Sequence, residues 1–234
     1  MRLPGRDVSA DSQRLGPRDD VAVLASGGAD SAILVAQLLR ERAAVHPIYV
    51  RFGLAWEAAE EAHLRSFLDT LTDPAPCPVV VLEVPIAAVY GSHWSLSGQK
   101  VPDEGTTDDA VYLPGRNLLL LGLPSVWCAL HDVHTIALGT LKGNPFPDAT
   151  DAFFASFSAL VQRGMEHALE VVTPFAGLVK ADVLELGRGL ALERTFSCID
   201  PVDGRHCGRC NKCAERRHAF SAASIEDATQ YMHQ

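Results

Sequence analysis

The chain has 234 residues, of which 47% are apolar and 21% charged, enough for one large domain or one domain with an appendage. Its formal net charge of −9 argues against a dominant nucleic-acid surface, although it does not exclude a local basic patch. Residues 1–20 contain no apolar signal-peptide segment, and the longest apolar run, residues 118–130, is too short and proline-interrupted to span a bilayer. We therefore expect a cytoplasmic protein that has no membrane partner.

The first elements are an extension, a strand, a turn and a helix. Residues 1–20 are polar and aperiodic, which predicts a flexible N-terminal extension. The apolar run 21–24 predicts a buried strand. Ser26-Gly27-Gly28 predicts a tight turn, and an apolar helix then runs from Asp30 and Ser31 to residue 39.

This strand, glycine turn and helix start predict an anion site, because free backbone N–H groups and the positive end of the helix dipole converge there. The hydroxyls of Ser26 and Ser31 can add donors. The loop lacks the lysine of the P-loop and the third glycine of the dinucleotide fingerprint. An ordinary tight turn of an α/β protein is the alternative interpretation. We predict that phosphate binds at Ala25, Ser26, Gly27, Gly28, Ala29, Asp30 and Ser31.

Strand and helix patterns alternate further along the chain. Strands are predicted at 45–50, 78–84, 133–139 and 171–175, and helices at 57–71, 118–130, 151–169 and 180–189. Pro124 is expected to kink or divide its helix, and Asp151 to cap the next. The alternation predicts a Rossmann-like parallel sheet with helices on both faces.

Residues 86–111 interrupt this rhythm with a segment rich in Gly, Ser and Asp that has no clear period. A loop of this length in a compact domain is typical of a functional lid or a disordered insert. His93 lies in it, and a single histidine in such a segment is more often a surface residue than a catalyst.

Four of the six cysteines, Cys198, Cys207, Cys210 and Cys213, fall within sixteen residues. Four thiolates suit a tetrahedral Zn²⁺ and leave no open position for water, so we expect a structural zinc site. An iron–sulfur cluster is the rival and disulfides are disfavoured by the compartment. His206 could replace one cysteine. The remaining two, Cys77 and Cys128, are expected to be small buried residues.

Basic residues surround the cysteines. They form either a rim near the nucleotide phosphates or a solvated face that balances the charge of a Zn(Cys)₄ centre. The residues are Arg205, Arg209, Lys212, Arg216 and Arg217.

The Ser-Gly-Gly-x-Asp-Ser loop resembles the PP-loop of the N-type ATP pyrophosphatases. With the cysteines, the chain from about residue 21 to 231 resembles the 7-cyano-7-deazaguanine synthase family. Four further matches carry the resemblance: Pro114-Gly115-Arg116-Asn117, Pro147-Asp148, Lys180-Ala181-Asp182 and Thr195-Phe196-Ser197-Cys198. It implies a PP-loop ATP-binding α/β domain at 21–190 and a zinc-binding C-terminal region at 191–234.

The resemblance implies an ATP-dependent C–N ligase of queuosine biosynthesis. The family adenylates 7-carboxy-7-deazaguanine with ATP; ammonia displaces AMP, and a second ATP activates the amide so that it becomes the nitrile. The implied cofactors are ATP, Mg²⁺ and Zn²⁺, and the implied assembly is a homodimer without nucleic acid. The implied catalytic residues are Asp30, Ser31, Arg116 and Lys180, and the implied nucleotide contacts include Gly115, Arg116, Asn117 and Asp148.

Two segments depart from the family pattern. The family usually has Asp-x-Ser-Gly-Tyr-Pro-Asp-Cys-Arg where residues 141–150 keep only Pro147-Asp148, and a Tyr-Gly-Gln segment with a following His where residues 51–56 read Arg-Phe-Gly-Leu-Ala-Trp. Both segments are expected near the base. The alternatives are therefore a ligase that joins a deazaguanine carboxylate to another amine on a protein or nucleic acid, a tRNA-modifying PP-loop enzyme, and a zinc-ribbon nucleic-acid-binding module with an inactive loop.

Overall fold

The computed structural model describes residues 19–42, 44–106 and 108–233. Five strands form one sheet: β1 Val21–Leu24, β2 Val45–Arg51, β3 Val80–Glu83, β4 Thr135–Ala137 and β5 Glu170–Val172. The predicted extension 1–20 lies outside the described residues except for its last two. Every neighbouring pair of strands is parallel, in the order β3-β2-β1-β4-β5, which confirms the predicted parallel sheet.

Helices cover both faces of the sheet. Along β1, Ala22 and Leu24 belong to one apolar cluster and Val21 and Val23 to another, because successive side chains of a strand point to opposite faces. Both clusters are buried, so both faces are packed. The helices are α1 Ala29–Leu38, α2 Glu57–Leu68, α3 Ala87–Tyr90, α4 Trp94–Ser97, α5 Arg116–Leu130, α6 Asp151–Met165, α7 Lys180–Leu186 and α8 Asn211–Ala222.

The strand order places a cleft beside β1. The chain leaves β1 toward β2 on one side, while β4 pairs with β1 on the other. In doubly wound sheets, ligands bind at such a switch point, outside the carboxyl ends of the strands. The loop at 25–31 leaves β1 at that end, so the fold places it at the expected crevice.

The structure corrects several details of the predicted helices. Pro124 lies inside the continuous helix α5 and does not divide it, while the kink that was the other expectation stays a prediction. The cap of α6 is Thr150, whose hydroxyl accepts from the N–H of Phe153 at 3.2 Å, whereas Asp151 is already the first helical residue. Helices α2, α6 and α7 also end three or four residues earlier than predicted.

The C-terminal region packs onto the sheet domain. Helix α8, which the sequence patterns did not predict, contacts α7. Its Arg216 is 2% exposed and donates to the hydroxyls of Thr195 and Thr229 and to the carbonyl of Leu192. Arg216 therefore ties the C-terminal segment together, and its interpretation as part of a solvated face was wrong. The division of the chain at residue 190 stays a prediction.

Candidate functional site

The loop at 25–31 is braced by its own serines. The hydroxyl of Ser31 donates to the carbonyl of Gly28 at 3.1 Å and accepts from the N–H of Ser26 at 3.2 Å. The first-turn N–H groups of α1 have no acceptor inside the helix. The loop therefore combines a fixed backbone with donors directed out of the helix end, which is the geometry of an anion site.

Two glycines allow this loop to pack closely. Gly27 has φ +77°, and a Cβ there would lie 2.8 Å from the carbonyl oxygen of Glu60 in α2. At the end of β4, a Cβ on Gly139 would lie 3.3 Å from the Cβ of Asp30. The carbonyl of Gly27 also accepts from the N–H of Phe196 at 2.7 Å. Three separate segments thus hold the loop in place, and no larger side chain fits at position 27.

A cavity of about 260 Å³ opens beside the loop and is called the loop cavity below. Two buried polar atoms of residues that line it, Oδ1 of Asp30 and Nε of Arg116, have no hydrogen-bond partner among the described residues. A carboxylate oxygen suits a Mg²⁺ ion and a guanidinium suits a phosphate or carboxylate, so both fit a metal-bound nucleotide. Further lining residues are Ser26, Gly28, Ser31, Asn117, Gly139 and Asp148.

Asn117 and Asp148 fix the opposite wall of the loop cavity. The N–H of Asn117 donates to Oδ2 of Asp148, and its side-chain amide donates to the carbonyl of Asp148, both at 2.9 Å. Gly115, with φ +75°, is the residue that precedes α5. These contacts place Arg116 at the first position of the helix and at the cavity. The structure therefore brings the predicted residues of 115–117 and 148 together with the loop.

Lys180 lies next to the loop, at the start of α7. Its Nζ is 2.5 Å from Oδ2 of Asp30 and 3.6 Å from Oε1 of Glu215. Burial lowers the pKa of Lys180, but the two carboxylates outweigh it and raise that pKa above its usual value. Lys180 therefore carries a positive charge next to the loop, and Asp30 holds the lysine in place.

A second cavity of about 150 Å³ adjoins the first and is called the aromatic cavity below. Both cavities are lined by Arg116 and Phe146. The indoles of Trp56 and Trp94, which both line the aromatic cavity, are stacked with ring centroids 5.7 Å apart. Lys212 contributes a charge there. The segments at 51–56 and 141–150, which depart from the family pattern, thus both reach this cavity.

Sequence reasoning missed two residues near the loop and the cavities. His93 is half-buried and lines the aromatic cavity, and its Nδ1 lies 2.8 Å from the hydroxyl of Ser95. Glu60 accepts from the Tyr49 hydroxyl at 2.8 Å. Burial raises the pKa of Glu60 to about 7, although the Arg116 guanidinium and the Tyr49 hydroxyl lower it. The only signal for Glu60 in the sequence is its position, a carboxylate one helical turn after Trp56.

The four clustered cysteines converge in the structure. Their sulfur atoms all lie within 4.8 Å of one another, with Cys198 and Cys210 at 3.9 Å and Cys207 and Cys213 at 4.0 Å. Tetrahedral Zn–S bonds of about 2.3 Å imply sulfur separations of about 3.8 Å, so the cluster fits one zinc ion. A disulfide needs about 2.05 Å, and a cluster of several irons would spread the thiolates more widely.

The surroundings of the cysteines support thiolates. The N–H groups of Asp200 and Cys207 donate to the sulfur of Cys198 at 3.3 and 3.2 Å, and such donors favour the charged form. His206 is not a ligand, because its Nε2 accepts from the N–H of Ser197 at 3.1 Å. Burial lowers the pKa of His206 to about 3, so this ring is neutral.

The two remaining cysteines differ from each other. Cys128 is fully buried, as predicted, and burial raises its pKa to about 12. Cys77 is only half-buried, so the expectation of a buried residue was wrong for it.

The geometry describes an anion-site loop at a cavity and a cluster of four cysteines, and comparison with known proteins decides the family. The family model described as "Queuosine biosynthesis protein QueC" matches residues 20–224. The chain belongs to the QueC family. Its QueC relatives include a 7-cyano-7-deazaguanine synthase of Methanothermobacter thermautotrophicus, 29% identical over 88% of this chain and 96% of the relative.

Two bacterial relatives of the same description are similar at comparable levels. The protein of Anaeromyxobacter dehalogenans is 31% identical, covering 89% of this chain and 94% of the relative, and that of Xanthomonas campestris is 31% identical, covering 89% and 96%. Membership of the QueC family makes the chain an enzyme of queuosine biosynthesis. Within the part of the chain that the structure describes, none of the helices has the length and apolar character needed to cross a membrane.

Proposed function

We propose that the protein is an ATP-dependent C–N ligase that converts 7-carboxy-7-deazaguanine and ammonia into 7-cyano-7-deazaguanine. The observation that carries this proposal is the loop cavity, where Arg116 and Asp30 each have a buried polar atom without a partner among the described residues. A cation and a carboxylate that face one cavity suit a nucleotide phosphate and its Mg²⁺. The relatives reported above are 7-cyano-7-deazaguanine synthases, a name that gives the same product.

The first step joins the acceptor carboxylate to the α-phosphate of ATP. A carboxylate oxygen attacks phosphorus, the bond to the bridging oxygen breaks, and pyrophosphate leaves. The backbone of the loop and the ammonium of Lys180 hold the departing anion. Arg116 lines both cavities, so it neutralises the phosphate and the carboxylate while they approach. Positioning and charge neutralisation are the main contributions that such a transfer needs from the protein.

The acyl-adenylate then reacts with ammonia. Nitrogen attacks the acyl carbon, AMP leaves, and a proton is lost from nitrogen, which gives the amide. The amide oxygen then attacks the α-phosphate of a second ATP in the same cavity and pyrophosphate leaves; departure of AMP and loss of the two protons on nitrogen give the nitrile. Two AMP molecules therefore form for each base. The four cysteines would hold a zinc ion that cross-links residues 198 and 207–213, a structural contribution that involves no substrate.

The second candidate is an amide-forming ligase. It is favoured by the aromatic cavity, where Trp56 and Phe146 come from the two segments that depart from the family pattern. One AMP per base and an amide product would identify it. A tRNA-modifying activity and an inactive zinc-ribbon module are less well supported, because the loop keeps its geometry and the net charge is −9.

The deciding experiment is a single incubation with 7-carboxy-7-deazaguanine, ammonium, ATP and Mg²⁺. We expect AMP and pyrophosphate only when the acceptor is present, and a nitrile by mass spectrometry. Absence of AMP would refute both ligase candidates. Salt-dependent RNA binding without ATP turnover would instead identify the nucleic-acid module.

The proposal includes a cytoplasmic homodimer. Helix α5 leaves four large apolar side chains exposed, Leu118 at 50%, Leu123 at 42%, Val126 at 42% and Leu130 at 77%. Leu123, Val126 and Leu130 share one face of α5 by their helical spacing. An exposed apolar face is typical of an interaction site, and a second copy of the chain would bury it. Light scattering of the purified protein should give twice the 25.2 kDa of one chain; a monomer at micromolar concentration would contradict the dimer.

A further inference from the structure

Four side chains of alternating charge, Asp30, Lys180, Glu215 and Lys212, follow one another in space and are called the charge chain below. Lys180 Nζ lies 2.5 Å from Asp30 Oδ2 and 3.6 Å from Glu215 Oε1. The other oxygen of Glu215, Oε2, accepts from Lys212 Nζ at 2.6 Å. Each oxygen of Glu215 thus faces a different lysine.

The ends of the charge chain lie at the two cavities. Asp30 lines the loop cavity and Lys212 lines the aromatic cavity. Lys212 stands between Cys210 and Cys213 in the sequence, and Glu215 lies three residues further along α8. The cysteine knuckle therefore fixes the segment of backbone from which both side chains project.

We propose, resting on the function proposed above, that Glu215 is a positioning residue that directs Lys180 to the nucleotide phosphates and Lys212 to the acceptor carboxylate. Lysine has a long flexible stem and carries a point charge, so its orientation depends on the groups that hold it. Asp30 holds Lys180 from the side of the loop cavity. Glu215 is the member that contacts both lysines, so it sets their relative placement.

The sign of the effect separates positioning from simple electrostatics. Glu215 carries a negative charge close to an anion site. If only its charge mattered, its removal would strengthen the binding of ATP, because like charges repel. If it positions the lysines, its removal weakens the binding of ATP and of the acceptor. A role confined to folding would alter the melting temperature and leave both affinities unchanged.

The experiment compares three variants of the zinc-loaded protein. Glu215→Gln keeps the shape of the side chain and should raise the KM of ATP and of 7-carboxy-7-deazaguanine about tenfold each, less than the roughly hundredfold cost of misplacing a reacting group by 1 Å. Lys212→Met should raise only the KM of the acceptor. The matched control is Glu185→Gln on α7, which removes the exposed pair with Arg188 and should change neither value.

Calorimetric titration with ATP alone gives a readout that does not require turnover. Glu215→Gln should bind ATP about tenfold more weakly than the wild type, with its zinc content retained, which is the size expected when one hydrogen bond to a charged group is lost. Equal or tighter binding would overturn the positioning role. If the wild type binds ATP but forms no AMP, the proposed function fails and this comparison still decides the role of Glu215. If the wild type does not bind ATP, both fail.

A second substitution keeps the inference testable if Glu215→Gln does not fold. Glu215→Asp preserves the charge but shortens the side chain by one methylene, so that it cannot reach both lysines. We expect at least one of the two KM values to rise. Wild-type values for both substrates in this variant would overturn the inference.

Discussion

Glu60 should make the protein less stable as the pH rises, which is the opposite of the effect of a carboxylate that is paired in the folded state. Burial is the largest influence on its carboxyl and raises the pKa to about 7 from 4.5, against the opposing influence of Arg116 and Tyr49. Between pH 4.5 and about pH 7, the folded state therefore keeps a proton on Glu60 that the unfolded state has released. Because the folded state then holds more protons, stability falls as the pH rises through this window.

The magnitude follows from the two pKa values. A neutral isostere at position 60 avoids the cost of ionising the carboxyl in the folded protein. Glu60→Gln should therefore be more stable than the wild type by about 3 kcal/mol at pH 8 and by about 1 kcal/mol at pH 5. For a chain of this size each kcal/mol shifts the melting temperature by about 2–4 °C, so the gain at pH 8 should be about 6–12 °C.

The assay is thermal unfolding of both proteins between pH 5 and pH 8. The matched control is Glu61→Gln, one residue further along α2. Burial raises the pKa of Glu61, but hydrogen bonds from Arg65 and Arg51 outweigh it and leave the pKa lowered. This group contributes stability above its unfolded pKa that is lost toward acid, so Glu61→Gln should be destabilising at pH 8 and less so at pH 5. A gain for Glu60→Gln that does not grow with pH would refute the reasoning.

The remaining predictions concern the loop and the cysteines. Asp30→Ala and Ser26→Ala should abolish AMP formation without lowering the melting temperature by more than about 5 °C, since both residues are half-buried at a cavity; wild-type turnover in either variant would remove the loop from the mechanism. Purified protein should contain one zinc per chain by elemental analysis. Cys210→Ser should lose both the metal and the cooperative unfolding transition, and a stable metal-free variant would argue against the structural role.

The loop at 25–31 could be predicted because its signals are local in the sequence. The apolar run at 21–24, the glycine turn and the helix start are contiguous, and each depends on backbone conformations that the residue types themselves favour. The cysteine site could also be predicted from local sequence, because three of the four cysteines lie within seven residues and their metal chemistry is specific. Such features need no knowledge of which elements become neighbours in the fold.

The aromatic cavity could not be predicted in the same way. Leu54, His93, Phe146, Ile199 and Lys212 all line it, yet successive members are 13 to 53 residues apart in the sequence. They meet because the sheet order β3-β2-β1-β4-β5 brings the ends of distant connections to one edge. Helix α8 was missed for a related reason. It begins at residue 211, within the cysteine motif. It packs against α7 without the regular apolar stripe by which an amphipathic helix is recognised in a sequence.

The loop cavity and the aromatic cavity have different roles in the proposed function. A change in the aromatic cavity would alter the ring of the acceptor while its carboxylate stays the same. Arg116 lines both cavities, and its guanidinium matches a carboxylate irrespective of the ring that carries it. The departures that reach the aromatic cavity, Leu54, Trp56 and Phe146, are all apolar. An apolar lining selects by shape and stacking and gives less discrimination than an unpaired buried polar group. Under the proposed function, any shift in specificity should therefore concern the heterocycle, and the acceptor should still be a carboxylate that ATP activates.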